Sequence, residues 1–292
     1  MSAEPGPPAG FDAEVSPDGR ATLGPHTTAL RQDLDRCFAA WGAGAGAAAA
    51  TYPPVLRVED LARLDYFVNF PHLASLVTGL DPRAVADGSL RAAAPAAIAP
   101  DRLAESGHAL PSAACYSAYL DLAGTVLTRP ARITTSATCF RREEKFEGLR
   151  RLFGFTMREI VCVGPRDAVL DHLSAFKARI TAFLADLALP VRVQAAADPF
   201  FDPDGGRSLM AKLFPVKEEF VFGGSLAIAS VNFHRNFFGE RCEIRLEDGS
   251  HAFSGCVAFG LERWIAALAE HFDGDLGAAR RALAGCAGWN AR

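Results

Sequence analysis

Two segments of the chain concentrate the residue types that could carry chemistry. The first, residues 138–159, contains Phe-Arg-Arg-Glu at 140–143, a charged loop, and a return segment that includes Phe155. On a strand, Arg141 and Glu143 would share one face. An arginine beside a carboxylate suits a nucleotide site, because the guanidinium grips a phosphate and the carboxylate orients the base or the arginine. A purine could stack on Phe155, whereas a hairpin with a charged, solvated face fits the same residues.

The second segment, residues 254–264, reads as a strand that ends at Gly260 and a helix that starts with Leu-Glu-Arg. The glycine allows a ligand to approach the backbone closely. Arg263 would lie in the first turn of the helix, where the helix dipole disfavours a cation. That placement suggests a task for Arg263 such as holding an anion. A surface arginine whose stem packs on the sheet is the alternative.

The elements that must position these segments follow from hydrophobic periodicity and from Pro and Gly punctuation. They predict an antiparallel sheet flanked by helices, in the α+β class. The predicted helices lie at 27–41, 165–188 and 261–269, with an apolar helical zone at 58–77 that Pro71 interrupts and a loop excursion at 90–112. The predicted strands lie at 133–142, 151–163, 191–194, 219–222, 227–232, 242–246 and 252–258.

Composition narrows the class of protein. The chain has 292 residues, half of them hydrophobic, and a net charge of -4, so no global basic field indicates a nucleic-acid binder. Seven cysteines without a C-x-x-C pair favour a reducing cytoplasm over a disulfide framework. We expect no signal peptide and no membrane span. Residues 1–24 are predicted to be a flexible extension, and 25–292 a single catalytic domain.

The two segments resemble motifs 2 and 3 of class II aminoacyl-tRNA synthetases, with Phe-Arg-x-Glu at 140–143 and Phe-Gly-Leu-Glu-Arg at 259–263. Over roughly residues 27–270, the chain resembles more closely the amino acid:[carrier protein] ligases, which are similar to the catalytic domain of methanogen-type seryl-tRNA synthetases. The residues that carry this resemblance are Tyr66-Phe-x-x-Phe-Pro71, Ala114-Cys115-Tyr116, Lys217-x-Glu219, Ser230-Val-Asn232-Phe-His234, Phe238-Gly239 and Ser254-Gly-Cys256.

The resemblance implies an ATP-dependent ligase that forms an aminoacyl-adenylate. The amino acid, a small one such as glycine or alanine, would then pass to the phosphopantetheine thiol of a carrier protein. The resemblance also implies a homodimer without a tRNA-binding module. Two alternatives remain open at this point, a tRNA-directed class II synthetase paralogue and a non-catalytic one. The acidic net charge weighs against the first.

The same family holds a zinc ion with two cysteines and a glutamate, which by motif are Cys115, Glu159 and Cys256. Three protein ligands leave a fourth position for the amino group of the substrate, since a neutral amine is a good zinc ligand. From spacing alone, a lone cysteine is more often a small buried hydrophobe. The cysteines at 37, 139, 162 and 242 are interpreted as core residues.

By the same resemblance, Arg141 binds the α-phosphate and the substrate carboxylate, and Arg263 binds the γ-phosphate. Glu143 contacts the adenine amino group, Arg151 the outer phosphates, and Phe155 the adenine ring. Magnesium would bridge the ATP phosphates with few protein ligands. The further candidates are Glu219 and then Glu243 for magnesium, Asn232 for the substrate, His234 as a structural or pocket-rim residue, and Lys177, Arg179, Arg280 and Arg281 for an acidic carrier protein.

Overall fold

The computed structural model describes residues 10–88, 95–202 and 216–289. Within them, the helices are α1 (Pro25–Gly44), α2 (Val58–Arg63), α3 (Tyr66–Asn69), α4 (Pro82–Ala86), α5 (Tyr116–Asp121), α6 (Arg166–Asp186), α7 (Phe237–Arg241), α8 (Leu261–His271) and α9 (Leu276–Gly285), with 3-10 turns at Pro71–Leu73 and Pro100–Arg102. The strands are β1 (Ala13–Val15), β2 (Ala21–Leu23), β3 (Ala48–Ala49), β4 (Leu56–Arg57), β5 (Leu76–Val77), β6 (His108–Ala109), β7 (Val126–Leu127), β8 (Ala131–Phe140), β9 (Gly154–Gly164), β10 (Val191–Ala196), β11 (Lys217–Phe222), β12 (Leu226–Arg235), β13 (Arg245–Leu246) and β14 (Phe253–Gly260).

A seven-stranded sheet in the order β10-β11-β12-β14-β9-β8-β3 is the centre of the fold. Neighbouring strands run antiparallel except β3 and β8, which are parallel. The predicted α+β class, an antiparallel sheet flanked by helices, is therefore confirmed. The predicted strands at 133–142 and 151–163 are present as β8 and β9, and the predicted helix at 165–188 is present as α6.

The register of the central strands decides which side chains share a face. Cys256 of β14 pairs with Asn232 of β12, and Ala258 of β14 pairs with Glu159 of β9. Because side chains alternate between faces, Cys256 and Ala258 point the same way, and their partners point with them. Lys217 of β11 pairs with Asn232 and joins this face. We call it the site face.

The opposite face of the sheet carries the main hydrophobic core. Phe259 of β14 stacks on Phe38 of α1 with 4.0 Å between ring centroids, and Trp264 of α8 lies against the same phenylalanine of α1. Phe183 of α6 completes the cluster, and all four rings are almost fully buried. Aromatic side chains bury large areas of apolar surface, so this packing holds α1, α6 and α8 against the sheet.

Residues 13–23 are part of the predicted flexible extension, but they form regular secondary structure. They form an antiparallel hairpin of β1 and β2, whose apolar side chains pack against the main core. Asp12 accepts hydrogen bonds from the backbone N–H groups of His26 and Thr27 at the start of α1. The short alternating pattern was too brief to stand out from a Pro/Gly-rich composition. Residues 1–9 of the predicted extension lie outside the described residues.

Two further predictions need correction. The predicted strand at 242–246 is reduced to β13, because Cys242 instead closes α7 with a backbone hydrogen bond to Phe238 at 2.9 Å. The apolar helical zone at 58–77 is interrupted at Pro71 as predicted, where a 3-10 turn begins, but it also breaks between α2 and α3 and ends in the strand β5. The predicted loop at 90–112 includes residues 90–94, which lie outside the described part. Over the part of the chain that is described, we find no helix whose length and apolarity would let it cross a membrane.

The close approach of α7 to the residue before β14 generates a stability prediction. A Cβ added at Gly239 would lie 2.1 Å from the carbonyl oxygen of Ala252, a backbone atom that cannot move aside alone. We expect Gly239→Ala to lower the free energy of unfolding by about 1–3 kcal/mol, as overpacked sites do. Urea denaturation of the wild type and the variant measures this change in the free energy of unfolding.

The matched control is Gly285→Ala in α9, where an added Cβ meets nothing within 4 Å. This variant should be neutral or slightly more stable, because alanine is the better helix former by about 1 kcal/mol. Equal stabilities of the two variants would contradict the steric argument.

Candidate active site

Three buried side chains meet on the site face. The sulfur atoms of Cys115 and Cys256 and a carboxylate oxygen of Glu159 all lie within 4.8 Å of one another. Glu159 and Cys256 lie on the adjacent strands β9 and β14, and Cys115 is the residue just before α5. The sheet register fixes the first two, and the loop before α5 must bring the third.

Glu159 fastens that loop to the sheet. Its Oε1 accepts hydrogen bonds from the backbone N–H groups of Ala114 at 2.8 Å and Cys115 at 3.2 Å. Its Oε2 is buried and has no hydrogen-bond partner. A buried carboxylate oxygen without a partner is costly, and this one lies beside two sulfurs. The arrangement leaves Oε2 free to coordinate a cation.

The electrostatics of the two thiols fit a cation as well. A hydrogen bond that the Cys115 thiol donates to Cys256, together with burial, raises the pKa of Cys115 well above its ordinary value. The hydrogen bond with Cys115 favours the Cys256 thiolate, but burial and the charge of Glu159 outweigh it and raise the pKa of Cys256 to about 11. A divalent ion would reverse both effects, because metal-bound thiols are deprotonated. Two sulfurs and one oxygen are a donor set that zinc accepts.

A cavity of ≈ 620 Å³ opens onto this triad. Its polar lining includes Arg141, Lys217, Asn232 and His234, besides the triad itself. Its apolar wall is largely aromatic and contains Tyr66, Phe70, Tyr116, Phe200, Phe237 and Phe238. Pockets of about 300–1,000 Å³ with an apolar wall and a few convergent polar groups are typical of small-molecule sites.

Lys217 is a cation held at the edge of this cavity between two carboxylates. Its Nζ lies 2.9 Å from Asp198 and 3.0 Å from Glu219. Burial lowers the pKa of Lys217, but the charges of Asp198 and Glu219 outweigh it and raise the pKa overall. Lys217 therefore stays charged and orients both carboxylates. Sequence reasoning noted Lys217 only as part of a motif and assigned it no role.

Arg141 connects the cavity to the second group of predicted residues. Its Nε donates to the backbone carbonyl of Ser112 at 3.2 Å, and its guanidinium carbon lies 5.2 Å from the ring centroid of Phe155. Arg141 thus lies over one face of the ring that is predicted to stack on adenine. Arg141 and Glu143 do not lie on a strand as predicted, because β8 ends at Phe140 and the N–H of Glu143 turns back to the carbonyl of Arg141.

The remaining predicted nucleotide residues surround Arg263 of α8. The Nε of Arg263 donates to the carbonyl of Arg150 at 3.0 Å and its Nη1 donates to the carbonyl of Ala227 at 3.2 Å. Burial and the nearby charge of Arg141 lower the pKa of Arg263. Glu143 and Arg151 form an ion pair of 2.7 Å. The guanidinium of Arg263 is therefore oriented by backbone contacts, as expected for a residue with a role beyond packing.

The structure brings the predicted residues together in two neighbouring groups. The triad, Asn232 and Arg141 line the cavity, whereas Glu143, Phe155 and Arg263 line a smaller recess next to it. Glu243 lines neither the cavity nor the recess, and its carboxylate pairs with Arg245 at 2.8 Å. The basic candidates for carrier docking already have partners within the chain. Lys177 pairs with Glu218, and Arg280 pairs with Asp33. Arg281 lies 3.8 Å from Asp275, and Arg179 covers the ring of Trp41.

Residues 112–272 match the family model described as the tRNA synthetase class II core domain (G, H, P, S and T). Two curated proteins of Bradyrhizobium diazoefficiens are similar in sequence. Amino acid--[acyl-carrier-protein] ligase 1 is 33% identical over 249 residues, covering 80% of this chain and 74% of that protein. Amino acid--[acyl-carrier-protein] ligase 2 is 32% identical over 233 residues, covering 74% and 67%.

Solved structures show the same fold. The M. kandleri seryl-tRNA synthetase bound to A. aeolicus tRNASec matches with a TM-score of 0.73 and 18% identity, covering 90% of this chain and 59% of that one. The Giardia lamblia prolyl-tRNA synthetase in complex with prolyl-adenylate matches with a TM-score of 0.67 and 17% identity, covering 91% and 51%. The chain thus spans little more than half of each synthetase.

The shared ion pair at the cavity edge generates a second prediction. We expect Lys217→Met to lower the free energy of unfolding at pH 7 by roughly 1–3 kcal/mol, between the values of exposed and fully buried pairs. Burial alone would raise the pKa of Asp198, but Lys217 lowers it overall. The stabilisation that the Asp198 carboxylate contributes is complete above its pKa in the unfolded chain, about 3.9, and is lost as the pH falls through its lower pKa in the folded protein.

Urea denaturation of wild type and variant at pH 7 and at pH about 3.5 measures the difference, which should shrink at the lower pH. Lys177→Met is the control, since Lys177 holds Glu218 in an equally short but more exposed pair. Its cost should stay below about 1 kcal/mol. A Lys217 variant as stable as wild type at pH 7 would refute the shared-cation interpretation.

Proposed function

The chain belongs to the class II aminoacyl-tRNA synthetase family, and within it to the amino acid--[acyl-carrier-protein] ligases, and on that premise we propose that it activates an amino acid with ATP and loads it onto a carrier protein. The observation that carries the proposal is the pairing of a cation-ready triad with Arg141 in one cavity. An amino acid offers an amine to the triad and a carboxylate to Arg141.

The nucleotide would lie across Arg141, Phe155 and Arg263. We propose that Arg141 neutralises the charge that develops as the substrate carboxylate attacks the α-phosphorus, with pyrophosphate as the leaving group. Arg263 would hold the outer phosphates from the opposite side together with Arg151, and Glu143 would contact the adenine amino group. Charge neutralisation and positioning supply most of the rate in such a transfer.

ATP implies magnesium, and Glu219 is our proposed carboxylate for it. Glu219 shares the cation Lys217 with Asp198 and lies close enough to Arg263 to influence its pKa. Glu243 is the weaker candidate because its carboxylate pairs with Arg245 and with His251.

We further propose that Cys115, Glu159 and Cys256 hold one zinc ion per chain. The unpartnered Oε2 of Glu159 and the two buried thiols support this assignment. Zinc bound there would supply an open coordination position for the amino group of the substrate. Asn232 lies against Cys256 and lines the same cavity, so it is our proposed contact for the bound amino acid.

The finer parts of the proposal rest on the family resemblance. We propose a small amino acid, glycine or alanine, a phosphopantetheine thiol as acceptor, a homodimer, and a single catalytic domain over residues 25–292. A reducing cytoplasm fits the seven cysteines, which are all buried and form no disulfide bond with one another.

The first test is ATP–pyrophosphate exchange across the standard amino acids, with zinc content measured on the same sample. We expect exchange with one small amino acid and about one zinc per chain, as a three-ligand site with an open position implies. Cys115→Ala and Cys256→Ala should lose both. Cys162→Ala is the control, because Cys162 is equally buried on the opposite face of the sheet.

The activated amino acid should then appear as a thioester on a phosphopantetheinylated carrier protein and be absent on the unmodified one. Charging of bulk tRNA instead of a carrier would favour the synthetase paralogue. A wild type that shows no exchange and holds no zinc would favour a non-catalytic protein.

A second test separates Arg141 from its neighbour. We expect Arg141→Ala to reduce exchange by about 10²–10³-fold, the effect of removing one donor that stabilises transition-state charge. Arg142→Ala should leave the rate unchanged, because the side chain of Arg142 is exposed and its hydrogen bond within the described residues is made by the backbone N–H, to the carbonyl of Leu73. Equal rates for both variants would remove Arg141 from the proposed mechanism.

A further inference from the structure

A tyrosine–histidine pair lies beside Cys256 of the triad, with the tyrosine fully buried and the histidine at the cavity wall, and the proposed mechanism does not use it. The hydroxyl of Tyr119 in α5 lies 3.1 Å from Nδ1 of His234 in β12. Nε2 of the same imidazole lies 3.8 Å from the sulfur of Cys256, within hydrogen-bond range for a sulfur acceptor. The ring of Phe238 stacks on Tyr119 with 3.9 Å between centroids and fixes its orientation.

The hydrogen bond decides which nitrogen of His234 carries the hydrogen. When the Tyr119 hydroxyl donates to Nδ1, that nitrogen is the acceptor, so the hydrogen of the imidazole lies on Nε2 and faces the sulfur of Cys256.

His234 is not itself a member of the ligand set. Among the described residues, the cluster whose donor atoms all lie within 4.8 Å of one another contains Cys115, Glu159 and Cys256, without His234. The imidazole therefore lies beside the sulfur of Cys256 without belonging to the cluster. This is the position of a group that supports a ligand.

The charge of the ligand set explains why such support is needed. Two thiolates and a carboxylate bring three negative charges to a divalent ion, so the occupied site keeps one negative charge in a buried place. An N–H donor to a sulfur disperses part of that charge. Cys256 receives one N–H from Asn232 at 3.4 Å and would receive a second from His234.

We propose that Tyr119 and His234 are positioning residues of the metal centre, with the tyrosine setting the tautomer that lets the histidine donate to the Cys256 sulfur. This inference rests on the proposed zinc site and goes beyond it, because it assigns the strength of metal binding to two residues outside the ligand set. The sequence had indicated only a structural or rim role for His234.

The test is zinc affinity, measured by competition with a chromophoric chelator at fixed pH, with no catalytic assay involved. We expect His234→Phe to weaken zinc binding about 10–100-fold, the usual effect of removing a group that hydrogen-bonds to a metal ligand. His234→Gln should restore most of the affinity, because the glutamine amide can place an N–H near the position of Nε2. Tyr119→Phe should fall between the wild type and His234→Phe.

Cobalt substitution gives a readout that loss of packing would not move. Without the N–H donor, the Cys256 thiolate becomes a better electron donor, so the sulfur-to-cobalt charge-transfer band should move to longer wavelength in His234→Phe and return in His234→Gln. The control is His172→Phe, which replaces a buried histidine that contacts Phe176 and the carbonyl of Ile160 and lies outside the triad. Its zinc affinity and spectrum should match the wild type.

The outcomes separate this inference from the proposed function. Tight zinc binding in the wild type, lost in Cys256→Ala but unchanged in His234→Phe, would overturn the positioning role and leave the zinc site intact. Equal weakening in His234→Phe and His234→Gln would also overturn it, because the donor would then not matter. A wild type that binds no zinc would overturn both.

Discussion

The site depends on one buried carboxylate. Glu159 is on a central strand, where the sheet fixes its position, and one of its oxygens accepts two backbone N–H groups from the loop before α5. That loop carries Cys115, which otherwise belongs to a separate apolar cluster. Without the carboxylate, two buried N–H groups would lose their acceptor, and the loop would have no polar connection to β9. The same side chain therefore shapes the pocket and completes its donor set.

The two faces of the sheet divide the work between stability and chemistry. The face that contacts α1, α6 and α8 is filled with aromatic and aliphatic side chains and contributes most of the apolar burial. The site face can consequently hold charged and polar groups that would be expensive in the core. Strand register enforces this division, since a slip of one residue along β14 would bring Val257 to the site face in place of Cys256.

The sequence predicted the fold class, the central strands and the main helices, because those depend on periodicities that run over ten or more residues. It also named Cys115, Glu159 and Cys256, but through family motifs, since their spacing along the chain carries no sign of a shared centre. The turn at Arg141–Glu143 and the hairpin at 13–23 were missed because short elements are decided by tertiary contacts. The partnership of Tyr119 and His234 had no sequence pattern at all, since it joins α5 to β12 across the site face.

The nucleotide side shows how the protein keeps its cations in place before a substrate arrives. Arg141 lies over Phe155, Arg151 pairs with Glu143, and Arg263 donates to two backbone carbonyls. Each contact is weaker than a bidentate bond between a guanidinium and a phosphate, because each partner is a neutral carbonyl, an aromatic face or, for the exposed Arg151, a single carboxylate. A triphosphate would therefore exchange weak internal partners for stronger ones, and the release of Glu143 from Arg151 would free the carboxylate that the proposed function assigns to adenine. Selectivity for the nucleotide would then arise from the same exchange that assembles the site.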